Sequence, residues 1–367
     1  MSTERGSMKV VLHVVGARPN FMKIAPILRV ADAEPGWDNV LIHTGQHYDE
    51  GMSSAFFRDL GIRAPDESLG VGSGSHANQT ARVMVEMERV ILERKADLVV
   101  VVGDVNSTLA AALAAAKLGV KVAHVEAGLR SHDRSMPEEL NRLLTDQLAD
   151  FCLTPSRDAD ANLLREGILR ERIFFVGNIM IDSLLVVIKH ARTLSLATDL
   201  GLVRGEYVLA TIHRPSNVDD RAQLEEILGA LRVISNSHPV ILPMHPRTRE
   251  RVTGFGLETG SIRVMEPIGY VESLHLQDGA AVVITDSGGL QEETTVLGVP
   301  CVTLRDSTER PVTVTEGTNE LVPVRNTQQI VNAFGRAISK VRSPRRPEGW
   351  DGRTAERIVQ ILKNSID

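Results

Sequence analysis

The chain has 367 residues, of which 43% are hydrophobic and 24% are charged, and its formal net charge at pH 7 is −6. This length and composition suit two globular domains, and the slightly acidic balance predicts neither nucleic acid nor an anionic membrane as a partner. No apolar run reaches the roughly 18 residues of a membrane span, and residues 1–8 have no signal-peptide core behind them.

The two cysteines, Cys152 and Cys301, both lie in apolar, strand-like segments. They are predicted to be buried free thiols, as in proteins of the reducing cytosol, so we expect a cytoplasmic location. The cysteines lack metal-ligand spacing, and His43 and His47 have no marked third ligand. We therefore predict no metal site.

The first half of the chain alternates apolar runs with helical patterns. Strands are predicted at 10–15, 39–43, 98–102, 121–126, 151–154 and 173–176. Most are continuous Val/Ile/Leu runs, as expected for a parallel sheet that is buried on both faces. Helices are predicted between them at 23–31, 76–94, 107–117 and 138–149. This pattern predicts a Rossmann-like, doubly wound α/β domain over residues 8–192.

The loop after the first strand carries positive charge from Arg18 and Lys23. Ligands of α/β proteins bind at the carboxyl ends of strands, so both residues are candidate ligand contacts. No strand is followed by the G-x-G-x-x-G dinucleotide fingerprint, and the ATPase P-loop motif is also missing. The glycine-rich segment 70–74 predicts a flexible loop, beyond which Gln79 could reach a ligand.

Three acidic positions follow later strands of this domain. Asp104 ends one strand, Glu126 ends the next, and Glu138 or Glu139 opens a helix. Strand ends converge at one edge of a sheet, and clustered carboxylates suit general acid/base work. Asp104 could instead cap the following helix, and Glu138 could simply favour a helix N-terminus.

The second half predicts another α/β domain over residues 205–350. Its strands are predicted at 207–212, 240–244, 262–265, 281–285 and 301–304. Residues 193–204 are the predicted linker, and the final helix within 351–367 is predicted to pack back on the first domain. Two such domains would leave a cleft, which is a favoured ligand site.

Two histidines end neighbouring strands of this second domain. His213 would face the carboxylates of the first domain across the cleft, and His245 ends the next strand in the same way. A lone histidine is more often structural than catalytic, but two at adjacent strand ends favour a functional role.

Residues 282–304 predict a buried strand, a tight Asp-Ser-Gly-Gly turn, a helix and a second strand. Ser287, Gly288 and Gly289 would lie at the helix N-terminus, where free N–H groups and the helix dipole favour a phosphate. Glu293 follows about one turn later, within reach of sugar hydroxyls. A simple helix N-cap is the alternative. Beyond the next strand, Arg310 would lie near the same phosphates.

Together these stretches resemble the non-hydrolysing UDP-N-acetylglucosamine 2-epimerase family. The motifs that carry the resemblance are Gly16-Ala17-Arg18-Pro19 with Lys23, Gly103-Asp104, His124-Val125-Glu126-Ala127-Gly128-Leu129-Arg130, Pro137-Glu138-Glu139 with Asn141-Arg142, Val176-Gly177-Asn178 with Ile181-Asp182, His213-Arg214, Thr285-Asp286-Ser287-Gly288-Gly289 with Gln291-Glu292-Glu293, and Thr308-Glu309-Arg310-Pro311.

The resemblance implies a glycosyltransferase-B-like fold of two Rossmann-like domains. It implies reversible inversion at C2 of UDP-N-acetylglucosamine to UDP-N-acetylmannosamine, by elimination and re-addition of UDP. No cofactor is required on this route, in keeping with the missing dinucleotide fingerprint. The resemblance also implies a homodimer, for which helices 107–117 and 138–149 are candidate surfaces.

The resemblance places Asp104, Glu126 and Glu138 as acid/base candidates with His213 also at the site, and these four are the catalytic candidates. The substrate-binding candidates are Arg18, Lys23, Gln79, Arg142, His245, Ser287, Gly288, Gly289, Glu293 and Arg310. Of these, the resemblance places Arg18, Ser287, Gly288, Glu293 and Arg310 on UDP. Ser287 and Gly288 would hold phosphate, and Glu293 would take the ribose.

The sequence departs from the family pattern at three places. Asn20 and Pro215-Ser216 replace the residues that many members carry, and the segment between Arg130 and Pro137 is shorter. These loops leave room for a modified substrate, such as a UDP-2,3-diacetamido uronic acid, and leave open whether a second UDP-sugar activates the enzyme. A hydrolysing epimerase, a glycosyltransferase and a non-catalytic nucleotide-sugar sensor remain alternatives.

Overall fold

The computed structural model describes residues 8–45 and 61–366, so His47 lies outside the described residues. The chain divides into two compact units. One takes the residues up to Ser183 together with those from Glu348 onward, and the other is Leu184–Pro347. Each unit is built around one parallel β-sheet.

The first sheet has seven strands in the described residues. They are β1 (Lys9–Val15), β2 (Trp37–His43), β3 (Glu67–Ser68), β4 (Leu98–Val102), β5 (Lys121–Val125), β6 (Phe151–Thr154) and β7 (Ile173–Phe175). Their order is β3-β2-β1-β4-β5-β6-β7, and all neighbouring strands run parallel. β4 is buried along its whole length, which explains its unbroken run of apolar residues.

Helices cover both faces of this sheet. They are α1 (Arg18–Ala31), α2 (His76–Arg94), α3 (Asn106–Lys117), α4 (Pro137–Leu148), α5 (Arg157–Arg165) and α6 (Ile179–Ala191), with a 3-10 turn at Arg170–Arg172. α1 begins five residues earlier than the sequence predicted, because Pro19 suits the first turn of a helix and the Asn20 side chain binds the preceding backbone.

The second sheet has six strands. They are β8 (Val208–Thr211), β9 (Val240–Pro243), β10 (Arg263–Met265), β11 (Val282–Thr285), β12 (Cys301–Thr303) and β13 (Asn319–Leu321). Their order is β10-β9-β8-β11-β12-β13, again with every pair parallel. The helices of this unit are α7 (Leu196–Asp199), α8 (Pro215–Val218), α9 (Arg221–Ser235), α10 (Pro246–Gly254), α11 (Tyr270–Gly279), α12 (Gly288–Leu297), α13 (Val312–Thr315) and α14 (Thr327–Ile338).

The last helix, α15 (Thr354–Ile366), lies in the first unit and packs against α1. The backbone N–H of Ala355 donates to Asp182 (2.9 Å), and Lys363 pairs with Glu34 (2.6 Å). The division between the units falls within α6, earlier than the predicted linker at 193–204, a stretch that contains α7. A continuous helix therefore carries the chain from one unit to the next.

Both sheets reverse their strand order beside their first strand, between β1 and β4 and between β8 and β11. This arrangement confirms the predicted α/β class with doubly wound parallel sheets. In such sheets, ligands bind outside the carboxyl ends of the strands at the point of reversal. The segments directly after β1, β4, β8 and β11 hold six of the predicted site residues, namely Arg18, Asp104, His213, Ser287, Gly288 and Gly289. No helix in the described ranges is long and apolar enough to cross a membrane.

Candidate active site

The loop after β1 is fastened to the end of β4 by Asn20. Its side-chain oxygen accepts the N–H groups of Gly16 (3.2 Å) and Ala17 (2.9 Å), and its amide donates to the carbonyl of Val102 (3.0 Å). Arg18 is the first residue of α1, and its side chain is outside what the structure describes. The sequence marks Asn20 only as a departure from the family pattern. The structure shows that it joins the loop after β1 to the end of β4, the two strands between which the strand order reverses.

Glu126 follows β5 and has a backbone conformation that side chains rarely adopt, with φ of +70°. The side chain is buried, and Lys23 pairs with its Oε2 atom. Its other oxygen, Oε1, is buried without a hydrogen-bond partner. Backbone strain and an unsatisfied buried oxygen both cost free energy, and both concentrate at functional sites.

Gly103 allows the groups around Glu126 to come together. Its φ is +70°, and a Cβ atom there would lie 2.8 Å from the Lys23 ammonium and 3.2 Å from the Asn20 amide nitrogen. The same Cβ position is 3.9 Å from Glu126 Oε2. A glycine is therefore needed, and it brings Lys23, Glu126 and the Gly103-Asp104 turn into one small region.

Asp104 is held by α4. Its carboxylate pairs with Arg142 (2.5 Å), and its carbonyl accepts the side-chain N–H of Asn141 (2.9 Å). The alternative role predicted for Asp104, as a helix cap, is absent from the structure, because α3 is preceded by Val105 and has no side-chain cap. Arg142, predicted to bind substrate, lies on the Asp104 carboxylate.

The structure distinguishes the two adjacent glutamates at the start of α4. Glu139 is buried and accepts N–H groups from Ser131 (2.9 Å) and His132 (2.9 Å), and it pairs with Arg142 (2.8 Å). Burial would raise the pKa of Glu139, but these hydrogen bonds outweigh it and hold the pKa below its usual value. Glu138 is half-buried and has no hydrogen bond or ion pair from its side chain to the described residues. Glu139 thus shapes the preceding loop, and Glu138 is left as the acid/base candidate.

Gln79 connects the glycine-rich segment to the start of α3. Its amide nitrogen donates to the carbonyl of Gly72 (3.1 Å), and its oxygen accepts from Asn106 (2.8 Å). In this structure its polar atoms are used to hold the loop against α3.

In the second unit, Asp286 is the buried centre of the reversal point. One oxygen of its carboxylate, Oδ2, accepts the backbone N–H groups of His213 (2.9 Å) and Arg214 (2.8 Å) and the side-chain N–H of Asn217 (3.0 Å). His213 Nδ1 lies 2.9 Å from its other oxygen. Burial would raise the pKa of Asp286, but His213 and the other donors lower it. An ionised Asp286 orients the His213 ring so that Nε2 is left for other contacts.

The N-terminus of α12 has free backbone donors next to a cation. Ser287 precedes the helix and makes no side-chain cap, so the simple N-cap interpretation of this turn is not what the structure shows. Gly288 and Gly289 begin the helix, and a Cβ at Gly288 would lie 2.7 Å from the Arg310 guanidinium. Arg310 is positioned by Glu292, at 2.8 Å. The helix N-terminus and Arg310 together suit an anion.

Glu293 lies on the same helix in a fully buried position. Burial raises the pKa of its carboxyl to about 7, although the side chains of Gln277 and Tyr270 act to lower it, and its Oε2 atom accepts no hydrogen bond of normal geometry. A hydroxyl-bearing ligand would supply the missing hydrogen bond.

His245 caps a helix. Its ring Nδ1 accepts the N–H of Arg247 (3.2 Å) at the start of α10, and its ring centre is 5.8 Å from that of His213. Burial and the neighbouring His213 lower the pKa of His245. The ring therefore has a structural contact on one side and lies beside His213 on the other.

Among the described residues, no group of three or more His, Cys, Asp or Glu side chains could hold a metal ion. Three predicted site residues, Lys23, Arg142 and Arg310, supply positive charge, and each of them pairs with a carboxylate. Cys152 and Cys301 are free and buried.

Two Rossmann-ordered sheets, with acidic groups at one reversal point and an anion-ready helix N-terminus at the other, define a nucleotide-binding α/β protein. The sequence profile of the family described as UDP-N-acetylglucosamine 2-epimerase matches residues 29–363. The chain belongs to this family.

Individual relatives agree over nearly the whole chain. A UDP-N-acetylglucosamine 2-epimerase of Methanocaldococcus jannaschii is 43% identical, over 95% of this chain and 97% of the relative. A UDP-2,3-diacetamido-2,3-dideoxy-D-glucuronate 2-epimerase of Pseudomonas aeruginosa is 42% identical, over 96% of this chain and 99% of the relative. The crystal structure of the M. jannaschii UDP-GlcNAc 2-epimerase in complex with UDP-GlcNAc and UDP superposes with a TM-score of 0.88 and 42% identity, covering 97% of this chain and 100% of that one. The predicted glycosyltransferase-B-like fold class is thereby confirmed.

Proposed function

We propose that this protein catalyses the reversible C2 epimerisation of UDP-N-acetylglucosamine to UDP-N-acetylmannosamine. The proposal is supported by family membership and, within the structure, above all by Glu126. Glu126 has a strained backbone conformation and a buried carboxylate. One carboxylate oxygen pairs with Lys23, and the other has no hydrogen-bond partner.

The reaction needs proton transfer at C2 from both faces of the sugar. A carboxylate removes the C2 proton, the C1–O bond breaks, and UDP departs with the bonding electrons, leaving a 2-acetamidoglucal. UDP then adds back at C1 as a second group returns a proton to the opposite face of C2. This symmetry requires more than one acid/base group, and Asp104, Glu126 and Glu138 are the groups that we assign.

We assign UDP binding to the second unit. The N–H groups of Gly288 and Gly289, the Ser287 hydroxyl and Arg310 would hold the diphosphate, since the Ser287 N–H already donates to the Thr285 hydroxyl (2.9 Å). Glu293 would accept the ribose hydroxyls. His213, oriented by Asp286, is the remaining catalytic candidate, and Arg18 is assigned to UDP on the family pattern.

A second substrate has a specific observation in its favour. The P. aeruginosa relative, named for a UDP-2,3-diacetamido uronic acid, is nearly as similar to this chain as the M. jannaschii enzyme. Identity alone does not separate the two sugars, so the same C2 chemistry on this uronate is our alternative.

Proton NMR of the purified protein with each UDP-sugar in D2O tests the proposal. Appearance of the C2 epimer with deuterium at C2, and with little free UDP, is the expected result. Free UDP with free N-acetylmannosamine would identify a hydrolysing epimerase. No deuterium incorporation from either sugar would contradict the proposal.

We further propose that the protein is a homodimer in the cytoplasm. α4 presents two leucines, Leu140 and Leu144, that are 38% and 52% exposed. The other predicted surface, α3, has most of its alanines buried within its own unit. Light scattering coupled to size-exclusion chromatography should give twice the chain mass, and a monomer at micromolar concentration would contradict the dimer.

A further inference from the structure

A buried histidine in the first unit, which is not one of the proposed acid/base groups, makes two side-chain hydrogen bonds. His124 lies on β5, two residues before Glu126, and its ring is fully buried. Its Nδ1 atom is 2.6 Å from the carboxylate of Asp146, and its Nε2 atom is 2.8 Å from the carbonyl oxygen of Gly103. The ring thus joins α4 to the residue that precedes Asp104.

The two contacts occupy both ring nitrogens. The Gly103 carbonyl can only accept, so Nε2 carries a hydrogen and donates to it. Asp146 also receives N–H groups from Gly128 (3.0 Å) and Arg130 (2.6 Å), as an ionised carboxylate does. Burial would raise the pKa of Asp146, but His124 and Arg130 outweigh it and lower the pKa. The ring nitrogens of His124 and both carboxylate oxygens of Asp146 therefore have buried partners.

Arg130 extends this buried network to a second carboxylate. It reaches both Asp146 and Glu166, each at 2.6 Å, so one cation bridges two carboxylates. Such a network is costly to leave half-satisfied, and it fixes its members in one arrangement.

Asp146 connects the segments that carry the three proposed acid/base groups. Through His124 it holds the Gly103 carbonyl, next to Asp104. Through the Gly128 N–H it holds the bend that follows Glu126. Asp146 itself lies on α4, the helix that begins beside Glu138.

We propose that His124 and Asp146 form a positioning pair that sets the relative placement of Asp104, Glu126 and Glu138. The inference rests on the proposed epimerase function. Neither residue is assigned contact with the substrate. Their effect is exerted through the Gly103 carbonyl and the bend after Glu126, and loss of such positioning by about 1 Å is enough to reduce turnover about 100-fold.

The test uses His124→Gln and Asp146→Asn, both close in size to the native residues. Gln can keep the donor to the Gly103 carbonyl but loses the ring contact with Asp146, and Asn keeps an acceptor for the Gly128 N–H. The matched control is His13→Asn. His13 is a fully buried histidine of the same sheet, on β1, and its Nε2 atom bonds only to Asn39 (2.9 Å).

The measurements are kcat and KM for deuterium incorporation at C2, UDP affinity, release of free 2-acetamidoglucal, and the unfolding temperature. We expect kcat to fall about 100-fold for Asp146→Asn and about tenfold for His124→Gln. KM and UDP affinity should stay within about threefold, and glycal release per turnover should rise because reprotonation is misaligned. His13→Asn should lower the unfolding temperature and leave kcat unchanged.

The inference is overturned if both variants lose stability but keep kcat within twofold, as the control does. If Asp146→Asn does not fold, His124→Gln decides by the same criterion. Wild-type protein that exchanges no C2 proton with either UDP-sugar overturns the proposed function and this inference together, whereas an active wild type with fully active variants overturns the inference alone.

Discussion

The two reversal points share one strand order but carry opposite chemistry. In the first unit, the loops after β4 and β5 present carboxylates, and cations hold them: Lys23 on Glu126 and Arg142 on Asp104. In the second unit, the loop after β11 presents backbone N–H groups, with Arg310 beside them. The first arrangement suits proton transfer and the second suits an anion. The repeated fold therefore provides the location of a site at the strand ends, while a few loop residues decide what that site does.

Glu126→Gln should give the largest difference between an effect on turnover, which is assigned to the first unit, and an effect on UDP binding, which is assigned to the second. We expect kcat to fall about 10³-fold because an amide cannot take up the C2 proton. UDP affinity should be unchanged, because the nucleotide contacts are assigned to the second unit. Deuterium exchange and calorimetric titration with UDP are the measurements. A variant with kcat within tenfold of wild type would remove Glu126 from the chemistry, and lost UDP binding would break the proposed division of roles.

Gly103→Ala tests the close packing at the first reversal point. The added Cβ would lie 2.8 Å from the Lys23 ammonium, so we expect kcat to fall about 10- to 100-fold. Gly119→Ala is the matched control, because its φ is +73° but nothing lies within 4 Å of the added Cβ. Both substitutions should destabilise the protein by about 1 kcal/mol through the left-handed backbone. Equal activities in the two variants would mean that the crowding around Gly103 is irrelevant to turnover.

Gly288→Ala is the counterpart in the second unit. Its Cβ would displace the Arg310 guanidinium, which would otherwise lie 2.7 Å away, so UDP should bind about tenfold more weakly. Gly335→Ala, on α14 with no atom near the added Cβ, should bind UDP as wild type does. Unchanged UDP affinity in Gly288→Ala would contradict the anion site at this helix N-terminus.

The prediction for His13 concerns stability alone, with no effect on turnover or on UDP binding. Burial lowers the pKa of this histidine from 6.5 to about 4. The unfolded chain therefore takes up the proton first as the pH falls, and stability is lost between about pH 6.5 and pH 4. The loss from this group is at most about 3 to 4 kcal/mol, since the pKa difference spans about 2.5 pH units at roughly 1.4 kcal/mol each.

Denaturant unfolding of wild type and His13→Asn over that range measures the effect. The variant should lose less stability on acidification than wild type does. Parallel curves for the two proteins would contradict the lowered pKa of His13. His13, which lies within β1 and not at its carboxyl end, would then contribute nothing to the acid sensitivity of the protein. This result would sharpen the contrast between the interior of the strand and the strand ends that carry the site.

Most of the fold could be predicted, since long apolar strands alternate regularly with helices. The strands that escaped prediction, β3 and β13, are short and include polar residues such as Glu67 and Asn319, so no apolar run marks them. The linker was also misplaced relative to the division in the structure, because α6 crosses that division without a Pro or Gly signal.

The sequence placed the candidate site residues at strand ends but did not pair them. The residue pattern could not choose between Glu138 and Glu139, and only the family resemblance favoured Glu138. In the structure the two differ in which one the loop N–H groups reach. The sequence did not single out Asp146, because that residue lies within a helix and does not follow a strand. It assigned Lys23 to the substrate, whereas the structure shows Lys23 paired with Glu126, 103 residues away.

By itself the sequence determined the α/β class, the two doubly wound sheets and the family, because apolar periodicity and turn motifs are properties of neighbouring residues. Only the tertiary structure decided which charges meet. The partner of a buried carboxylate depends on strand register and helix packing over separations of tens of residues. The same packing raised the pKa of Glu293, lowered that of Asp286, and made His245 a helix cap.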